Sequence, residues 1–87
     1  MKVQAISTIK SESGHLRTER LIIDIFPAKK PGTTGFWLHS EDYDDWFNTQ
    51  TYPSEELIKL YVTYLYRRYF GARFDTLLKI IQIVQIQ

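Results

Sequence analysis

Apolar and polar positions alternate imperfectly through Lys2 to Lys10, and the β-branched residues among them predict a strand that ends at the turn signals Ser11, Glu12, Ser13 and Gly14. The alternation resumes at Leu16 and tightens into a nearly continuous apolar run, Leu21, Ile22, Ile23, Ile25 and Phe26, which Pro27 closes. A strand apolar on both faces, apart from Asp24, belongs near the middle of a sheet or is covered on both sides. Lys29 to Gly35, with Pro31, Gly32 and Gly35, reads as a solvated loop. Phe36 to His39 then suits a short third strand, so the first three strands form an antiparallel meander.

Ser40 before Glu41 and Asp42 reads as a helix start, because a serine oxygen accepts from an orphan N–H and carboxylates favour the positive end of a helix. The expected helix is short, Glu41 to Asn48, with Trp46 and Phe47 turned inward. A second start lies between Thr51 and Glu56, where Pro53 suits a first turn and Ser54, Glu55 and Glu56 load it. This longer helix is expected to run to Phe70, where Gly71 supplies a left-handed cap after Arg67 and Arg68. In the last segment Phe74, Leu77, Leu78, Ile81 and Val84 keep helical spacing, whereas Ile80, Ile81, Ile83, Val84 and Ile86 form a β-branched run. We favour a turn over Arg73 to Leu77 and a strand from Leu78 to Ile86. The expected fold is therefore α+β in the order β-β-β-α-α-β, an antiparallel sheet of about four strands with one long and one short helix packed on a face.

Length bounds this picture: 87 residues make one domain, residues 1–87, burying roughly 60–65% of the surface of the unfolded chain. That is room for one core and little more. The composition is 15% aromatic, and tyrosine at such density also marks surfaces that bind. With no cysteine there are no disulfides or thiolate chemistry, and with no apolar run near membrane-span length or signal-peptide pattern a cytoplasmic protein without membrane association is expected. Net charge is +1, but it is segregated as +3 over residues 1–39, −6 over 40–56 and +4 over 57–87. Acidic and basic elements set side by side would neutralise one another.

Candidate chemistry is thin. His39 with Asp42 or Asp44 could make a general base with a polarising partner, which gives the minor reading of a small hydrolase-type enzyme centred on His39. No nucleophile motif accompanies it, so no catalytic residue is assigned and a non-enzyme is favoured. Glu41, Asp42, Asp44 and Asp45 lack the glycine and closing glutamate of a calcium loop, and Lys30 to Gly35 lacks the Gly-Lys-Thr/Ser of a phosphate loop. No metal or cofactor is expected. No segment resembles a known family in a way that carries a function.

The long helix is the most informative stretch. Its apolar positions, Leu57, Ile58, Leu60, Tyr61, Val62, Tyr64, Leu65 and Tyr69, cover an arc of about 200°, twice what packing on a sheet requires. Either the short helix with Trp46 and Phe47 covers the extra flank, or a partner chain does. The favoured function is a non-catalytic protein-interaction or adaptor module using an aromatic-rich helix surface, with Ile58, Val62, Tyr66 and Tyr69 as the candidate interface. Its partner would be another protein or a second copy of the chain. The alternative is a nucleic-acid-binding domain in which Arg67, Arg68 and Arg73 grip phosphates beside Tyr64.

Overall fold

The computed structural model describes residues 1–10, 13–29, 32, 34–70 and 78–86. Its elements are β1 (Lys2–Lys10), β2 (Leu16–Pro27), β3 (Phe36–Ser40), β4 (Asp45–Thr49), α1 (Glu55–Phe70) and β5 (Leu78–Gln85). The five strands form one antiparallel sheet in the order β4-β3-β2-β1-β5. The apolar run of β2 thus lies in the central strand, as its pattern requires.

Register divides the strands into two faces. Val3 stands opposite Ile23, Ala5 opposite Leu21, and Ile25 opposite Leu38, so one face collects the buried residues Val3, Ala5, Ser7, Ile9, Leu21, Ile23, Ile25 and Leu38. Helix α1 closes this face with Ile58, Tyr61, Val62, Leu65 and Tyr66, a stripe at spacing i, i+3, i+4, i+7, i+8. Each such side chain taken out of water stabilises the fold by about 1.5–3 kcal/mol, which is what holds the helix on the sheet. Ser54 caps the helix, its Oγ accepting from the N–H of Leu57 at 3.1 Å. Among the described residues no helix is long and apolar enough to cross a membrane.

The fold is α+β, but it has five strands and one helix where about four strands and two helices were expected. The short helix over Glu41 to Asn48 does not form. Residues 41–44 make a turn, and β4 comes after it and pairs with β3 from Ser40↔Asp45 to Phe36↔Thr49. The expected cap survives locally: Ser40 Oγ accepts from the N–H of Tyr43 at 3.4 Å. Asp44 then takes a left-handed conformation with φ 49°, which ends any helical continuation and sends the chain back along β3. The C-terminal strand forms as expected and pairs antiparallel with β1. The expected turn over Arg73 to Leu77 and the Gly71 cap lie outside the described residues.

Candidate functional site

The outer edge of β4 organises the site. Two bonds, Ile25 N to Met1 O at 2.7 Å and Ala28 N to Gly35 O at 3.0 Å, fix the phase of the ladder. Odd positions of β2 bond to β1 and even ones to β3, so His39 and Trp37 face β2, and Leu38 and Ser40 face β4. In β4, Asp45, Phe47 and Thr49 then bond inward, whereas Trp46 and Asn48 turn their N–H and C=O groups outward. Among the described residues nothing pairs with that edge.

Consecutive aromatics in a strand must take opposite faces. Trp46 stands on the open face, 53% exposed, and Phe47 on the helix side, 40% exposed, so the free edge lies between two aromatic walls. On the open face the Trp46 ring stacks on His39 at 4.1 Å and meets Phe26 and Trp37 edge-on at 5.5 and 6.1 Å. On the helix side Phe47 packs on Tyr61 at 5.5 Å, and Tyr61 on Tyr64 at 6.2 Å. Tyr64 and Leu60, one helical turn apart, are 45% and 67% exposed. The Tyr61 hydroxyl donates to Asp45 Oδ1 at 2.8 Å and to Asp45 O at 3.1 Å, tying the helix to the start of β4. Burial first, then this bond to a carboxylate, pushes the Tyr61 phenol far above its usual range.

His39 is held between two carboxylates, with Nε2 3.3 Å from Asp44 Oδ1 and Nδ1 3.8 Å from Asp24 Oδ2, while Lys2 Nζ lies 3.7 Å from Asp24 Oδ1. Of the two acids that sequence spacing offered, Asp42 or Asp44, it is Asp44 that meets the imidazole, and Asp24 is an addition from β2. The neighbouring hydroxyl, Ser40 Oγ, is buried on the opposite face of the sheet and is engaged with Tyr43. This arrangement fastens the 41–44 turn to the sheet. Among the described residues no three His, Asp or Glu side chains converge as metal ligands.

The proposed interface residues of α1 separate. Ile58, Val62 and Tyr66 are buried in the core between helix and sheet and are not part of the helix surface. Tyr69 is exposed and stacks on Tyr43 at 4.3 Å, which pins the turn to the helix end. Tyr64 and Arg68 come together, with an Arg68 guanidinium N–H donating to the Tyr64 hydroxyl at 3.3 Å and the guanidinium 5.7 Å from the Tyr69 ring centre. Arg67 is exposed, and Arg73 lies outside the described residues. The residues that sequence reasoning turned inward on a helix, Trp46 and Phe47, are the ones that flank the edge. An Asp-Asp turn leading into Trp-Phe-Asn-Thr was the available signal, since it pairs a left-handed turn residue with β-favouring ones. Compared with family models, with curated protein sequences and with solved structures, the chain matches none.

Proposed function

We propose that the protein is a non-catalytic protein-interaction module that takes up an extended segment of a partner protein alongside β4. One observation carries this reading: a free strand edge with an exposed aromatic on each face, Trp46 and Phe47, the second backed by Tyr61 and Tyr64. Strand addition draws affinity from main-chain bonds and selectivity from pockets for alternate side chains. Trp46 and Asn48 offer the bonds, and the two aromatic walls offer the contacts. Glu41, Asp42 and Asp44, exposed in the adjoining turn, favour a segment that carries basic residues.

Selection from a displayed random-peptide library tests it. Extended peptides with apolar and basic residues are expected, and binding them should protect the Trp46 and Asn48 amides from hydrogen exchange. Asn48→Pro removes one outward N–H together with the side-chain bonds from Asn48 Nδ2 to Thr34 O and Phe36 O, so Asn48→Ala, which loses only those side-chain bonds, is its control, and Phe47→Ala removes one wall. Asn48→Pro and Phe47→Ala should each weaken binding by about tenfold or more. Selected peptides indifferent to both changes, or none selected at all, would defeat the reading. An oligonucleotide whose binding falls steeply with salt and depends on Arg67 and Arg68 would instead support the nucleic-acid alternative.

A further inference from the structure

The opposite edge of the sheet, formed by β5, has a different character from the β4 edge and is independent of it. The bond from Ile86 N to Lys2 O, 3.1 Å, fixes the phase of β5. Even positions from 78 to 86 turn to β1, and Ile81 and Ile83 direct their N–H and C=O groups outward, where they have no partner among the described residues. The pairing with β1 runs one to one from Leu78 to Gln85, without a bulge, and the strand contains no proline. Edges of this length are ordinarily blunted by several charges, a proline or a bulge, and Lys79 is the only such device in β5.

The order of residues indicates what covers this edge. Read outward from Gln82, the sequence Leu-Lys-Ile-Ile-Gln-Ile-Val-Gln-Ile is symmetric in character: Ile81 with Ile83, Ile80 with Val84, Lys79 with Gln85, and Leu78 with Ile86. We propose that β5 pairs antiparallel with β5 of a second copy about a two-fold axis at Gln82, joining two sheets into one continuous sheet. In that register Ile81 exchanges both backbone bonds with the partner's Ile83, and Ile83 with the partner's Ile81, which satisfies every outward group the two isoleucines present. Lys79 stands opposite the partner's Gln85, so no like charges meet.

Other registers fit worse. A shift by one residue sets outward groups against inward ones, and a shift by two sets Lys79 opposite the partner's Ile83 or Gln85 opposite the partner's Ile81. Ile81 and Ile83 are partly buried against the core, so the two-fold pairing also carries each core across to the next. The contact is isologous and closes at two copies, leaving both β4 edges free.

Gln82 is exposed and lies at the axis, which makes it a clean probe. Sedimentation over a wide concentration range should show the wild-type chain passing from monomer to dimer. Gln82→Lys and Gln82→Glu each place like charges across the axis and should each give a monomer with the wild-type far-ultraviolet spectrum and melting midpoint at low concentration. Mixing the two variants should restore the dimer. A wild-type chain that stays monomeric at high concentration, or a dimer that survives both changes, would refute the pairing. Two monomeric variants that fail to associate on mixing would refute the axis at Gln82.

Discussion

Asp44 decides the path of the chain between β3 and β4, because it alone among the described non-glycine residues has a positive φ, at 49°. Left-handed backbone costs a side-chain-bearing residue roughly 1–2 kcal/mol relative to the right-handed form, and aspartate tolerates it better than most. This site gives a test whose sign separates a turn from a helix. Within a helix glycine is less stable than alanine by about 1 kcal/mol. At Asp44 the order should reverse: Asp44→Ala and Asp44→Gly both lose the contact to His39, but the glycine variant escapes the backbone strain and should be the more stable by about 1 kcal/mol. Urea unfolding of the pair measures this directly, and an alanine variant more stable than the glycine one would contradict the turn.

At the scale of elements, the helix and four of the strands were legible because local pattern and tertiary environment agree. β1 alternates, β2 is apolar on both sides and central, and α1 begins at a serine cap. Ser54→Ala should therefore lower the stability of the fold by about 1 kcal/mol, read as a shift in the urea midpoint with unchanged slope. An unchanged midpoint would show that tertiary packing fixes the helix start without the cap. β4 was not legible because two local signals there compete. Ser40 with Glu41 and Asp42 does resemble a helix start, and the Ser40 to Tyr43 bond forms, yet the outcome rests on Asp44 and on cross-strand partners 5 to 13 positions distant. The same competition hid the candidate site, since a helix would turn Trp46 and Phe47 inward together whereas a strand sends them to opposite faces. On α1 the composition showed an arc too wide for one sheet, but not which half meets it. The buried stripe through Ile58, Val62 and Leu65 leaves Leu60 and Tyr64 at the surface.

At the scale of the whole molecule, three tyrosines fasten the layers together and give the fold an alkaline limit. Tyr61 joins α1 to β4, Tyr66 lies under the helix near Ser7 of β1, and Tyr43 joins the 41–44 turn to the helix end. Burial is the largest cause that raises the pKa of each above 10.0, with Asp45 adding to it at Tyr61, Asp42 adding to it at Tyr43, and Ser7 opposing it at Tyr66. A phenol with a folded-state pKa above its unfolded value favours folding fully below the unfolded pKa, and that contribution is lost as pH rises past it. Stability should therefore be level up to about pH 10 and fall beyond it, by about 1.4 kcal/mol per pH unit for each phenol that the fold holds neutral. In an alkaline titration, tyrosinate absorbance from these three residues should appear together with loss of the far-ultraviolet signal, while Tyr61→Phe should make the decline shallower by one proton. If the absorbance change is complete near pH 10 while the far-ultraviolet spectrum remains intact, these phenols are not held neutral by the fold, and the tyrosine links between turn, helix and sheet are looser than the geometry requires.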